Sequence, residues 1–228
     1  MKNKLKKLIY LTIYILQQKW VAFVNRVSIN YNRFLLDKNG VIHKNATIVG
    51  KLYLKIAAGK DPAKVTIGEG FLMTSGNGLN LLCPESKATI EAAPKSIIQI
   101  GHHVKASSLR MRTLSSITIG NYVTIGANVL LLDTDCHSLD YRIRMGGVKI
   151  NDRYEDEISA HTAPIVIGDD VFIGTDCIIL KGVTIGDRTI IAAHSVVTKS
   201  FPSDCILAGI PAKKIGIVPD INATQALQ

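Results

Sequence analysis

An aliphatic side chain recurs at every sixth position near the carboxyl end of the chain, and this period constrains the fold more than any other feature. The unbroken series comprises Ile167, Ile173, Ile179, Ile185, Ile191 and Val197. An α-helix repeats about every 3.6 residues and a β-strand about every two, so neither alone produces a period of six. A unit this short cannot bury its own apolar face and must stack on further copies of itself. The series therefore predicts an all-β solenoid, a parallel β-helix in which each hexapeptide supplies one short strand and one turn.

The same spacing occurs upstream, clearly in one segment and more weakly in two others. The clear segment contains Ile117, Ile119, Val123, Ile125, Val129 and Leu131, and the weaker ones contain Ile42, Ile48 and Leu54, then Ile67, Met73 and Leu79. Between about Pro84 and Ser116 the spacing slips repeatedly. We expect irregular coils or short insertions there, and not a second domain.

The period is interrupted by one long polar stretch, from Asp133 to Ala163, with the sequence DTDCHSLDYRIRMGGVKINDRYEDEISAHTA. The repeat resumes at Pro164. Solenoids place insertions on one face, and long loops on rigid scaffolds commonly carry functional residues. The interruption predicts an extruded loop over residues 133–163 that forms part of an active site.

The amino-terminal segment is basic and has apolar residues at helical spacing. It contains Lys2, Lys4, Lys6, Lys7, Lys19 and Arg26, with no acidic residue in positions 1–30. We expect a basic amphipathic helix over residues 1–32, a β-helix domain over 33–216 and a tail over 217–228. The longest apolar run, Leu8 to Leu16, is too short to span a bilayer. The segment is therefore not expected to be a transmembrane anchor.

This helix has two candidate roles. It could cap the open end of the coil or pack against a neighbouring subunit, since solenoids need their end edges covered. Alternatively, residues 1–30 could make a peripheral contact with an anionic membrane surface. Nucleic acid is not expected as a partner, because the basic residues accompany no recognised binding motif.

The cysteines give no sign of a metal site or a disulfide framework. Cys83, Cys136, Cys177 and Cys205 are scattered, without paired spacing. A reducing cytoplasm is the simpler expectation, with the inner face of the membrane as the alternative location.

Several sequence words between Ile165 and Ile215 resemble one known family. They are VIGDDVFIGTDCIILKGVTIGD, IIAAHSVVTKSFP and LAGIPAKKI, to which the loop adds DTDCHSLD. They are similar to the hexapeptide-repeat O-acetyltransferases, which include maltose, galactoside and capsule or exopolysaccharide acetyltransferases. The resemblance implies a left-handed β-helix and a homotrimer with sites between subunits. It also implies acetyl-CoA as cosubstrate, no required metal, and a carbohydrate acceptor, such as a surface polysaccharide or its precursor.

The resemblance further implies that His137 is the general base that removes a proton from the acceptor hydroxyl. Imidazole suits this role, because its unperturbed pKa of about 6.5 leaves it largely neutral near pH 7. A nearby carboxylate could fix its tautomer, and the candidates are Asp133, Asp135 and Asp140. The alternative is that His137 is a solvated loop residue. An acetylated Cys136 is disfavoured, because the family transfers the acetyl group directly.

The same resembling sequence segments also imply which residues bind the cofactor. The resemblance implies that Phe172 forms an aromatic wall and that backbone amides at Gly174, Thr175 and Ala193 meet the pantetheine arm. It implies that Thr198 and Lys199, with Lys213 or Lys214, neutralise the CoA phosphates. The alternative is that these lysines are ordinary solvated side chains.

Three other functions remain open on the residues alone. Serine, an antibiotic or an aminosugar could replace the sugar hydroxyl as acceptor. A zinc γ-type carbonic anhydrase would use the same coil, but it needs histidines from neighbouring edges around the metal. A scaffold β-helix without catalysis would have no use for the loop around His137.

Overall fold

The chain begins with a long helix that continues past residue 32. The computed structural model of the protein describes residues 2–76, 85–150 and 153–219, so Leu79, Cys83 and most of the expected tail lie outside the described residues. Helix α1 spans Lys2–Lys38. It ends at Gly40, whose φ of 69° lies in the left-handed region that favours glycine at a helix terminus.

The rest of the chain winds through three sheets, and successive strands enter each sheet in turn. Sheet A contains β1 (Ile42–His43), β4 (Lys64–Ile67), β7 (Ile97–Ile100), β10 (Ser116–Ile119), β15 (Ile165–Ile167) and β18 (Thr184–Ile185). Sheet B contains β2 (Thr47–Gly50), β5 (Leu72–Ser75), β8 (Lys105–Ser107), β11 (Thr124–Ala127), β16 (Phe172–Ile173), β19 (Ile190–Ile191), β21 (Cys205–Gly209) and β22 (Ala212–Ile217). Sheet C contains β3 (Leu52–Ile56), β6 (Ala88–Ala92), β9 (Arg110–Thr113), β12 (Leu130–Leu132), β17 (Ile178–Leu180) and β20 (Val196–Val197).

Strand pairing within the three sheets is parallel, except for the final hairpin of β21 and β22. The hexad residues explain this architecture: Ile167 pairs with Ile185 in sheet A, Ile173 with Ile191 in sheet B, and Ile179 with Val197 in sheet C. Each of these six side chains is at most 1% exposed. The predicted parallel coil is confirmed, with three hexapeptides making one turn and their aliphatic side chains forming its core.

The residues of the weaker upstream series are mostly buried, but the prediction is wrong at the first of them, Ile42. Ile48, Ile67 and Met73 are at most 2% exposed, whereas Ile42 is 69% exposed and Val41 is buried in its place. The Val41 amide donates to Leu36 O at 3.0 Å, so the helix end sets the backbone here before the strand alternation begins. Strands β6 to β9 keep the three-sheet order through residues 88–113, so the coil continues where the spacing slips.

The last turns of α1 cap the first coil. Leu36 and Asn32 are buried, and Asn32 Nδ2 donates to Ile48 O at 2.8 Å and to Gly50 O at 2.9 Å. Arg33 Nε donates to Ala46 O at 2.9 Å. These bonds satisfy backbone carbonyls at the open end of the coil, as expected for a capping helix.

Residues 10–24 of α1 project away from the coil and are exposed on all sides. The exposed apolar side chains of α1 include Tyr10, Leu11, Ile13, Tyr14, Ile15, Leu16, Trp20, Phe23 and Val27. Successive helical residues are rotated by about 100°, so those from 10 to 16 surround the helix and do not form the single stripe of an amphipathic helix. No helix among the described residues is both long and apolar enough to cross a membrane.

The long loop leaves sheet C after β12 and returns before β15 of sheet A. Its base is closed by an antiparallel bridge between Thr134 and Thr162, and the Ala163 amide donates to Asp133 O at 3.0 Å. Beyond this base it contains helix α2 (Tyr141–Gly146), strands β13 (Lys149–Ile150) and β14 (Arg153–Tyr154), and helix α3 (Glu155–Ile158).

Candidate active site

His137 lies at the start of the loop and is held by a carboxylate from its return arm. Its Nδ1 is 2.5 Å from Asp156 Oδ2, and the other carboxylate oxygen of Asp156 accepts the Ser138 amide at 2.7 Å. Cys136, just before it, has a φ of 64°, and its amide donates to Thr134 Oγ1 at 3.0 Å. This tight turn presents a His137 side chain that is 65% exposed beside an Asp156 side chain that is 16% exposed.

The contact determines which ring nitrogen of His137 can act as a base. The hydrogen bond from His137 lowers the pKa of the Asp156 carboxyl, which therefore remains ionised near neutral pH. An ionised carboxylate only accepts hydrogen bonds, so the proton between the two groups belongs to Nδ1. In the neutral ring Nε2 then carries the free lone pair. A base and an orienting carboxylate are thus both in place.

The carboxylate beside His137 is not one of the three expected from the sequence. Asp133, Asp135 and Asp140 each have other partners, and none of them forms an ion pair within 4.0 Å of His137. Asp133 is fully buried and accepts the Leu114 and Ser115 amides, both at 2.8 Å. Its burial raises its pKa, although the backbone amides oppose the shift.

The other two expected aspartates stabilise the loop. Asp135 pairs with Lys181 of the coil at 2.5 Å. Asp140 caps α2 by accepting the Arg142 amide at 2.9 Å, and it pairs with the Arg142 guanidinium at 2.6 Å. Asp156 itself lies nineteen positions after His137 in a segment without periodicity. A run of acidic residues on the return arm, Glu155 to Glu157, is the only sequence signal that could have indicated it.

Helix α3 is fixed to the coil by Glu157, the residue that follows Asp156. Glu157 Oε1 accepts a hydrogen bond from Arg112 Nη2 at 3.0 Å, and Arg112 also lies 3.7 Å from Glu91. Asp156 therefore reaches His137 from a helix that is tied to strand β9. Burial raises the pKa of the neighbouring Cys136 thiol, so a protonated thiol and not a thiolate stands beside His137.

Three of the residues expected to bind the cofactor meet at the corner between sheets B and C. The coils are stacked so closely there that a Cβ built on Gly174 would lie 2.4 Å from Ala193 N. Thr175 O accepts the His194 amide at 2.8 Å. However, the Gly174 amide donates to Ile191 O at 2.7 Å, so this amide is engaged in the coil. The glycine is explained by coil stacking.

Thr198 and Lys199 lie at a different corner, between sheets C and A. Both are exposed, and Lys199 Nζ is 5.6 Å from the centroid of the Phe201 ring. The loop leaves the coil at this same corner, where Lys181 pairs with Asp135. Thr198 and Lys199 therefore share an edge of the coil with the loop base.

The remaining expected cofactor residues lie on sheet B. Phe172 is 46% exposed on β16. Lys213 and Lys214 are exposed on β22 and pair with Ala208 and Leu207 of β21. The Ala192 amide donates to Leu207 O at 2.9 Å, which places the final hairpin directly beyond the Gly174 corner. Across residues 2–76, 85–150 and 153–219, no three histidine, cysteine or acidic side chains are grouped as metal ligands.

Comparison with known proteins agrees with this geometry. Residues 164–199 match the family described as bacterial transferase hexapeptide (six repeats). Over this segment the chain is similar to hexapeptide-repeat transferases. These residues contain the whole hexad series and the Gly174 corner, so the family match covers the most regular part of the coil.

Two relatives and one solved structure show how far the likeness extends. The chain is 35% identical to galactoside O-acetyltransferase of Escherichia coli over 55% of this chain and 56% of that one. It is 28% identical to the provisionally named lipopolysaccharide biosynthesis O-acetyl transferase WbbJ of Escherichia coli over 68% of this chain and 73% of that one. A solved structure of galactoside acetyltransferase with coenzyme A superposes with a TM-score of 0.51 at 25% identity, over 91% of this chain and 82% of that one. The chain spans about half the length of the first two curated relatives that it matches: the match covers 42% of one and 56% of the other.

Proposed function

We propose that the protein transfers an acetyl group from acetyl-CoA to a hydroxyl group of a sugar, with His137 as general base. The observation that carries the proposal is the 2.5 Å contact between His137 Nδ1 and Asp156 on an exposed loop. The printed names of the relatives, galactoside O-acetyltransferase and a lipopolysaccharide O-acetyl transferase, support a sugar or polysaccharide acceptor. Serine, an antibiotic or an aminosugar is the alternative acceptor for the same chemistry.

His137 and Asp156 would act together to take a proton from the acceptor hydroxyl and then give it to the departing sulfur. Acetyl-CoA supplies the acetyl group as an activated thioester. Nε2 of His137 removes the proton of the acceptor hydroxyl while the hydroxyl oxygen bonds to the acetyl carbon. Asp156 stabilises the imidazolium that results and keeps the ring in place. The imidazolium then returns the proton to the departing sulfur, which regenerates the base.

The residues present fit a CoA molecule along the edge of the coil. Exposed lysines lie at two places on the coil, Lys199 at the loop corner and Lys213 and Lys214 on the final hairpin. They would neutralise phosphate groups, and Phe172 would provide an apolar contact. Since the Gly174 amide is engaged, the Thr175 and Ala193 amides are the backbone donors that we assign to the pantetheine arm.

A left-handed coil and a homotrimer with sites between subunits complete the proposal. The outer face of sheet C supports the trimer, because its last three strands present aliphatic side chains outward that are only partly buried. They are Leu130, Leu132, Ile178, Leu180 and Val196. Light scattering after size-exclusion chromatography should give three times the chain mass of 24.8 kDa, and Leu180→Glu should yield monomers. A wild-type monomer contradicts the trimer.

We also propose that the projecting part of α1 contacts the inner face of the cytoplasmic membrane. It combines exposed Trp20 and Phe23 side chains with a segment of residues 1–30 that has basic but no acidic residues, and such positive charge is attracted to anionic lipid headgroups. A chain lacking residues 1–24 keeps the capping residues Ser28, Asn32 and Arg33. The intact chain should float with phosphatidylglycerol vesicles and the shortened one should not; absence of flotation by the intact chain rejects the contact.

Release of the CoA thiol in the presence of a panel of sugars tests the proposed reaction. The expected result is acceptor-dependent thiol release, with a product that is heavier by one acetyl group and whose acetylated position is read by NMR. Turnover with serine or an aminosugar alone would identify the alternative acceptor. Failure of the chain to bind acetyl-CoA in calorimetry would contradict the proposal and favour a non-catalytic scaffold.

A further inference from the structure

A cavity of about 470 Å³ lies between the loop and the outer face of sheet C. The coil lines it with Lys55, Glu91 and Arg112, and the loop lines it with Arg153, Tyr154 and Glu157. Its volume falls in the range of about 300 to 1,000 Å³ that is typical of small-molecule sites. We name it the loop–coil cavity. None of its lining residues is among those that we assign to CoA.

Most charges in the loop–coil cavity are paired with one another. Lys55 Nζ lies 2.9 Å from Glu91, and Arg112 lies 3.7 Å from Glu91 and 3.0 Å from Glu157. The hydrogen bond with Glu91 also raises the pKa of Lys55, which is the sign of an engaged ammonium group. Two cations and two anions therefore compensate each other.

Arg153 is the exception to this pairing. It is half-buried, and among the described residues no carboxylate lies within 4.0 Å of its guanidinium. The described residues of the cavity lining therefore carry one net positive charge. The adjacent Tyr154 hydroxyl also has no hydrogen-bond partner among the residues that the structure describes. The Tyr154 ring lies 4.9 Å from Lys149 Nζ. Within the described residues, the Arg153 guanidinium and the Tyr154 hydroxyl are available to a ligand.

The lining also has a surface suited to a sugar ring. Ile56, Pro94 and Leu114 provide apolar contacts on the coil side. A guanidinium with a free planar edge binds carboxylate or phosphate through two parallel hydrogen bonds. A saccharide that carries either anion matches both parts of the lining, whereas a neutral sugar would leave Arg153 unpaired.

The lining of the loop–coil cavity includes the sequence neighbour of one member of the proposed catalytic pair. Glu157 lines it, and the preceding residue, Asp156, holds His137 at 2.5 Å. Cys136, which precedes His137, is near enough to Arg112, Glu91 and Glu157 for their charges to act on its thiol. Glu157 and Cys136 therefore connect the cavity lining with the two residues of the proposed catalytic pair.

We propose that the loop–coil cavity binds an anionic group on the acceptor sugar, with Arg153 as its cationic contact. The proposal rests on the acetyl transfer proposed above and extends it to the class of acceptor. The anion could be a carboxylate on the sugar ring or a phosphate ester, since both offer two oxygens to the guanidinium.

Steady-state acetylation of glucuronate, glucose 6-phosphate and glucose by the full chain tests this specificity. Replacing Arg153 with Gln should raise KM for the anionic sugars about 10- to 100-fold, the loss expected for a hydrogen bond to a charged group, with kcat little changed. KM for glucose should stay the same. Arg153→Lys should show a smaller loss, because it keeps the charge without the planar fork. Lys51→Gln removes an exposed positive charge outside the cavity and should have no effect.

The two anionic sugars distinguish the carboxylate from the phosphate, because the preferred one should lose more affinity in R153Q. An equal rise in KM for neutral and anionic sugars would overturn the proposal. Saturation-transfer NMR with glucuronate measures binding without turnover, and Arg153-dependent binding is expected. Such binding in the absence of acetyl transfer to any sugar would contradict the proposed function and support the site, whereas no binding, or binding unchanged in R153Q, would reject the site.

Discussion

The regular coil of residues 165–199 and the loop of residues 133–163 are joined end to end but are stabilised in different ways. In the coil, the six hexad side chains are at most 1% exposed, and parallel pairing occupies the strands. Among the described loop residues, Ala160 is the only buried hydrophobic side chain. The loop is held by ion pairs instead: Asp156 with His137, Glu157 with Arg112, and Asp135 with Lys181.

The difference separates stability from chemistry. Burial of stacked aliphatic side chains makes the hexad positions sensitive to substitution, because each of these side chains packs in the core against those of neighbouring coils. Ion pairs in the loop contribute less to stability, but they place a base and its carboxylate within hydrogen-bonding distance. We therefore expect loop substitutions to reduce activity with little change in folding, and coil substitutions to do the reverse.

Replacing His137 with Ala should have the largest effect on activity. Removal of a general base lowers turnover by about 10²- to 10⁴-fold, and the exposed ring leaves no cavity in the core. The measurement is kcat for CoA release, together with the free energy of unfolding in urea. His161→Ala is the matched control, since His161 is an exposed histidine of the same loop and should remain active. Near-normal turnover of H137A would remove His137 from the mechanism.

Replacing Ile179 with Ala should have the largest effect on stability. Its side chain is fully buried in sheet C between Leu131 and Val197, and such a truncation costs about 2 to 5 kcal/mol. In the loop, Leu139 is 80% exposed, so Leu139→Ala should change the free energy of unfolding by about 0.5 kcal/mol or less. Equal losses in the two variants, measured by urea unfolding, would mean that the loop folds as part of the core.

Replacing Asp156 with Asn should lower kcat by up to about 10⁴-fold, the loss found when the carboxylate that orients a catalytic histidine becomes an amide. The amide keeps the shape of the side chain but no longer requires the proton of His137 to reside on Nδ1. Asp61→Asn is the control, because Asp61 only pairs with the exposed Lys95 at 3.5 Å. A pH profile sharpens the comparison: D156N should alter the profile as well as the rate, whereas a purely structural loss would lower the rate at every pH by the same factor.

The sequence allowed the coil to be predicted more fully than the site. A period of six is a local property of the chain, so the core positions of residues 165–199 could be read directly from it. The first coil was harder, because Ile42 is displaced outward by the end of α1. Asp156 could not be predicted, since its contact with His137 depends on the path of the loop. Residues 133, 135 and 140 were nearer in sequence but turn toward the coil or toward α2.

The smallest expected effect is a change in amide proton resonances at acidic pH. A loop amide should respond, and a coil amide should not. The pKa of Asp156 is lowered from its ordinary value of 3.8 by the hydrogen bond from His137. A lowered carboxyl pKa contributes stability that is present above 3.8 and is lost as the pH falls through the pKa of the folded state. The Ser138 amide donates to Asp156 Oδ1 at 2.7 Å, so its proton resonance should shift in this window below 3.8. The Ile178 amide donates to Ser195 O at 2.9 Å within the coil and should not shift there. If both resonances moved together, acid would be unfolding the whole chain, and the loop would not be an independently titrating unit.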